Sequence, residues 1–157
     1  MKKTNFKIVL VCPEIPGNTG SIGRTCLALN AQLILIHPLG FDIDEKAVRR
    51  AGLDYWKDIT LTEYMSFEEF IKTEKPSQDK LHFFTKKSQK NIFETEIKSD
   101  CYLIFGAEST GLSEELLEEY DERSVAFPIL NENIRSLNLA SIVTAAGFEA
   151  IRQIKYK

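Results

Sequence analysis

Five short apolar runs alternate with helix-forming segments, and this alternation constrains the fold more than any other feature of the chain. Phe6–Val11 is rich in β-branched residues and reads as a buried strand. "AQLILIHP" is a second, stopped by Pro38, and "KLHFFT", "DCYLIFG" and "RSVAFPI" follow. Between them, Asn18 or Thr19 can cap a helix running to about Asn30, with Ile22, Cys26 and Leu29 on one side. "DIDEKAVRRAG" places acids first and bases last with Gly52 behind them, an order that suits a helix dipole. Ser66 stands three residues before Glu69, the spacing of a capping box, and Ser113 with Glu114 and Glu115 opens "SEELLEEY". The last helix, "LNLASIVTAAGFEAIRQ", is apolar on most sides and is expected to be buried. Strands alternating with helices predict an α/β fold, a mainly parallel sheet flanked by helices.

At 157 residues the chain is expected to form a single domain over 1–157. Apolar content of 43% and charge of 27% are ordinary for a soluble protein with a real core. Cys12, Cys26 and Cys101 are odd in number and lack metal-ligand spacing, so they read as free thiols in a reducing compartment. The apolar run in "MKKTNFKIVLVC" is too short for a signal peptide, and no run approaches a membrane span. The expectation is a cytoplasmic protein without membrane or metal. Net charge is −3, which argues against indiscriminate coating of nucleic acid. Residues 1–60 nonetheless hold eight Lys/Arg against six Asp/Glu, whereas the rest holds twelve against seventeen. A local basic face and a scattered solvated surface both fit that distribution.

Parallel α/β sheets bind ligands beyond the carboxyl ends of their strands. Four unusual loops meet that condition: "CPEIPGNTGSIGR", "TKKSQKN", "FGAESTGLS" and "PILNENIRSLN". The first carries Gly17, Gly20 and Gly23 as G-x-x-G-x-x-G, which matches neither the dinucleotide fingerprint nor the P-loop. ATP hydrolysis and NAD chemistry are therefore disfavoured.

"PEIPGNTGSIGRTC", "HPLGF", "RRAGLDYW", "FGAESTGLS" and "IRSLNLASIV" occur in an order and at separations that span nearly the whole chain. Together they resemble the SPOUT superfamily of RNA methyltransferases, and within it the tRNA (cytidine/uridine-34)-2′-O-methyltransferases. The resemblance implies a C-terminal trefoil knot, which ordinary connection rules exclude. It further implies S-adenosyl-L-methionine bound by the knot loops and a homodimer that completes the site. The implied reaction is 2′-O-methylation of the wobble nucleotide in a tRNA anticodon loop. Ribosomal RNA as substrate, or a non-catalytic adenosyl-ligand or RNA-binding module, are the alternatives.

By that match, Phe84, Gly106, Glu108, Gly111, Phe127, Ile129, Ser136 and Leu137 are candidates to hold the cofactor. Glycines without a Cβ let backbone approach a flat ligand closely, although Gly106 and Gly111 also read as ordinary turn residues. Glu108 could accept from the ligand or from loop amides. Core packing is the competing reading for Phe84 and Phe127. Ala107 and Thr110 depart from the family's frequent Pro and basic residue, which removes a cation at position 110. Asn131 and Asn133 suit a tight turn.

Arg24, Asn18, Ser136 and Asn138 are the catalytic candidates. Arg24 sits badly for a helix dipole, and a bound phosphate would offset that mismatch. The family assigns the motif-one arginine as base, yet guanidinium stays protonated, so Arg24 is expected chiefly to orient phosphate and hydroxyl. Lys2, Lys3, Arg24, Arg49 and Arg50 are the candidate RNA contacts. Tyr55 and Trp56 could stack an unpaired base or plug the space after a helix. Phe148 replaces a frequent Tyr, so a hydroxyl contact to RNA is absent there. His37 and His82 lie outside the motif loops and read as structural.

Overall fold

Alternate side chains along each strand fall into opposite layers, as a two-residue period requires. In the computed structural model, which describes residues 4–44 and 46–157, strand β1 (Lys7–Val11) sends Ile8 and Leu10 to one layer and Val9 to the other. Strand β2 (Gln32–Ile36) divides likewise, with Leu33 and Leu35 opposite Ile34 and Ile36. Both layers are apolar, so the sheet is covered on both faces and its central strands lack a polar side. The six strands are all parallel, in the order β3-β2-β1-β5-β4-β6. Here β3 is Leu61–Tyr64, β4 Leu81–Phe84, β5 Tyr102–Phe105 and β6 Ser124–Val125.

One layer is built by helix α1 (Pro16–Ala28) and helix α5 (Leu139–Lys155), through Ile22, Cys26, Val143, Ala146 and Ala150. Helix α2 (Lys46–Gly52) and a 3₁₀ segment (Leu53–Asp58) lie beside α1. The opposite layer receives Phe70 of helix α3 (Phe67–Glu74) and Leu116 of helix α4 (Glu114–Glu119). The expected caps form: Ser66 accepts from the Glu69 N–H and Ser113 from the Leu116 N–H.

Four expectations need correction. Helix α1 starts at Pro16 with Ile15 as its cap residue, placing Asn18 and Thr19 inside the first turn. Proline suits that first position because its missing N–H is one the helix leaves unbonded. The strand β3 was not anticipated, because an edge strand needs only one well-buried residue, here Tyr64. The run "RSVAFPI" contributes only Ser124–Val125. Helix α5 buries one face, whereas Ser141, Ala145, Phe148 and Arg152 are exposed, Phe148 by 57%.

The three cysteines are free thiols, and burial raises the pKa of Cys26 and Cys101. Among the described residues no helix is long and apolar enough to cross a membrane, and no side-chain group could hold a metal ion.

Candidate active site

The connections leaving β1, β4, β5 and β6 converge on a cavity of about 460 Å³ at the carboxyl ends of the strands. It lies where an open parallel sheet leaves room for a ligand. Phe84, Gly106, Glu108, Gly111, Phe127, Ile129, Ser136 and Leu137 all line it, and so do Asn18 and Asn138.

Its inner wall is aromatic. Phe84 and Phe105 stack with centroids 4.6 Å apart at 13°, and Phe127 lies 5.8 Å from Phe84. Phe84 and Phe105 are also buried in the core layer, so packing and lining are properties of the same rings. Beside them the 106–111 loop closes on itself through the Gly111 N–H donating to Ala107 O, 2.8 Å. A Cβ on Gly106 would stand 2.1 Å from the Gly111 carbonyl carbon, and Gly111 itself has φ +70°. Both positions therefore require glycine, one by space and the other by backbone conformation.

Two carboxylates lock this loop to the one after β1. Glu108 accepts from the backbone N–H groups of Glu14 (2.9 Å) and Ile15 (2.8 Å) and from Asn18 Nδ2 (3.2 Å). It thus supplies from 93 residues away the cap that α1 lacks locally, an anion at the positive end of the helix. In return Glu14 accepts from Ser109 Oγ (2.6 Å) and the Ser109 N–H (2.9 Å). The Ser109 hydroxyl and then its N–H hold the Glu14 carboxyl below the usual carboxylate range. Gly40 of "HPLGF" backs the arrangement, donating its N–H to Pro13 O at 2.9 Å.

The far rim comes from the approach to α5. The Asn138 Oδ1 accepts from the Ala140 N–H (2.9 Å), capping α5, while its residue also faces the cavity. Asn131 accepts from the Asn133 N–H at 2.8 Å, the turn that the sequence suggested.

The other predicted residues are not gathered into the cavity. Arg24 is exposed on α1 with its guanidinium 5.0 Å from the Tyr55 ring centroid, and it does not line the cavity. Trp56 is half-buried against Gly23. Arg50 is exposed on α2. Lys2 and Lys3 lie outside the described residues, as does the side chain of Arg49. Of the histidines, His37 pairs with Glu63 at 2.8 Å and His82 is buried in β4.

Sequence reasoning missed Glu14, Lys86, Lys87 and Arg135. The last three line the cavity, and the doubled lysine of "TKKSQKN" was the one available signal. Nothing local marks Glu14, whose partner Ser109 lies 95 residues away.

A parallel α/β sheet with a glycine-shaped, aromatic-walled cleft beyond its strands is the class of architecture that offers a flat organic ligand a place to bind. The chain belongs to the SpoU rRNA Methylase family, whose pattern it matches over residues 5–147. It is 39% identical over 153 residues to the tRNA (cytidine(34)-2'-O)-methyltransferase of Burkholderia cenocepacia, covering 97% of each chain. A solved structure described as "Structural insights into the 2-OH methylation of C/U34 on tRNA" superposes with a TM-score of 0.88 at 38% identity, covering 94% of this chain and 95% of that one. The SpoU methyltransferase AviRb from Streptomyces viridochromogenes, solved in complex with the cofactor AdoMet, superposes with a TM-score of 0.82 at 26% identity. That match covers 98% of this chain and 59% of the other.

Proposed function

We propose that the protein transfers a methyl group from S-adenosyl-L-methionine to the ribose 2′-hydroxyl of the wobble nucleotide in a tRNA anticodon loop. The observation that carries this reading is the convergence of all eight cofactor candidates, drawn from the ends of β4, β5 and β6 and the connections that follow them, on one cavity. The Burkholderia cenocepacia relative is named for that nucleotide, and the solved structure on C/U34 methylation is described by it.

The cavity suits an adenosyl ligand. Its volume falls within the range for small-ligand sites, and its lining combines an aromatic wall with a few polar groups. When bound, the cofactor supplies an electrophilic methyl group on a sulfonium. Phe84, Phe105 and Phe127 exclude water from one side of the cavity. The 106–111 loop presents backbone rather than side chain where Gly106 stands. Asn18 and Asn138 are neutral polar groups at the rim, suited to orienting a hydroxyl that must lose its proton.

Arg24 completes the reading as the residue that orients phosphate and hydroxyl. It stands outside the cavity of its own chain, so the pairing of two chains is part of the proposal, with Arg24 reaching the partner's cavity. The exposed Phe148 on the outer face of α5 is compatible with such a contact. The knot is proposed too. The Ile92 N–H donates to Ala126 O and the Ala126 N–H to Lys90 O. Gln153 of α5 bonds Thr95 O and the Ile97 N–H, so the β4–β5 connection lies against both β6's exit and α5.

The test is incubation with labelled cofactor and total tRNA lacking this modification, followed by mapping of the labelled nucleotide. Label on the ribose of nucleotide 34 is expected. Label on a base, or on ribosomal RNA alone, overturns the assignment. Arg24→Lys with near-normal turnover on bound tRNA removes the bidentate orienting role.

A further inference from the structure

The cavity rim carries more positive charge than the chain as a whole. Lys86, Lys87 and Arg135 all line it, in a protein whose net charge is −3. Glu108 is the one acid among the lining residues, and its oxygens are already taken by two backbone N–H groups and Asn18. All three cations are exposed, and none pairs with an acid among the described residues. The lysines follow β4 and the arginine precedes α5, so two distant segments bring their charge to one opening.

We infer that Lys86, Lys87 and Arg135 form a subsite for the phosphodiester backbone of the RNA on either side of the nucleotide being methylated. This rests on the reaction proposed above. A ribose whose 2′-hydroxyl reaches the cavity brings its own 3′-phosphate to the rim, and the 5′-phosphate follows a nucleotide's length away. Three unpaired cations match two or more phosphates, each of one negative charge. They match the amino-acid end of the cofactor poorly, because that end carries an ammonium beside its carboxylate. Thr110 in the 106–111 loop offers no cation, so the positive charge among the lining residues comes from the segments after β4 and before α5.

The experiment measures binding of an anticodon stem-loop RNA between about 50 and 300 mM salt for the parent, Lys86→Ala/Lys87→Ala and Arg135→Ala. Isothermal titration with S-adenosylmethionine runs in parallel. Each cation lost from a single-stranded contact should flatten the log–log salt slope by about 0.7, so the double variant loses about 1.4. Affinity for the RNA should fall on the order of tenfold for the pair, with cofactor affinity unchanged. Lys86→Arg/Lys87→Arg should restore the slope. An unchanged slope overturns the inference, and so does a loss of cofactor affinity, which would assign these residues to the carboxylate. If the parent binds RNA with the expected slope but methylates none, the reaction is refuted and the subsite stands. If the parent methylates while its variants keep the slope, only the subsite falls.

Discussion

Glu108→Ala removes the anion that caps helix α1 from another loop, and its cost can be worked from three hydrogen bonds. The carboxylate accepts from the N–H groups of Glu14 and Ile15 and from Asn18 Nδ2, at 2.8 to 3.2 Å. Loss of a helix cap costs about 0.5–2 kcal/mol. Half-exposed donors can turn to water once the carboxylate is gone, so the full desolvation penalty does not apply. About 1–2 kcal/mol remains, and at about 2–4 °C per kcal/mol for a chain near this size the melting temperature should drop by about 2–8 °C. Glu108→Gln keeps the shape and one acceptor oxygen, so it should fall between parent and alanine variant. Because the same bonds hold the 106–111 loop against the loop after β1, S-adenosylmethionine should bind more weakly to both variants. Thermal unfolding and calorimetric titration read these two effects separately. A melting temperature within about 1 °C of the parent for Glu108→Ala would show that the capping argument is wrong.

Gly106→Ala meets backbone at 2.1 Å and should destabilise by about 3 kcal/mol with loss of cofactor binding, whereas Gly111→Ala meets open space and should cost only the ~1 kcal/mol of a left-handed backbone. Equal losses in chemical denaturation would contradict the distinction between a steric and a conformational requirement. His82 is buried with its Nε2 unbonded, and burial followed by the Arg123 and Lys90 charges pulls its pKa down to about 4. The unfolded chain binds the proton near pH 6.5 and the folded chain only near 4, so stability present above 6.5 falls as pH drops through that window. His82→Leu should lose less stability than the parent between those two pH values in urea titrations, and parallel curves would reject the assignment. Glu14→Gln removes the charge that accepts from Ser109, so cofactor affinity should weaken with little change in melting temperature. Unchanged affinity would show that Glu14 does not position the loop.

The sheet was legible because each central strand is an unbroken apolar run, the mark of burial on both faces. Tyr64's strand was not, since "LTEY" sits at the edge and half its residues need no cover. The start of α1 was misplaced because the reading sought its cap among Asn18 and Thr19, whereas Glu108 provides it. The face of α5 that carries Phe148 looked like core because alanine and phenylalanine are equally apolar on either side of a helix. At the site, the glycines and aromatics of the cleft could be picked out from motif-bearing loops. The Glu14–Ser109 bond could not, because residues 95 apart become neighbours only once β1 and β5 pair.

That pairing carries a cost in time for a chain leaving the ribosome. Lys7 registers with Tyr102, so one side of the first strand has no partner until about 95 further residues are made. At ~5–20 residues per second the wait is roughly 5–20 s, far longer than local helices need to form. During that interval the nascent chain exposes the edge of a strand that is apolar but for Lys7, together with a helix whose cap has yet to be translated. Quality-control factors that bind such segments would meet this protein early, and slow codons before residue 102 would lengthen its exposure.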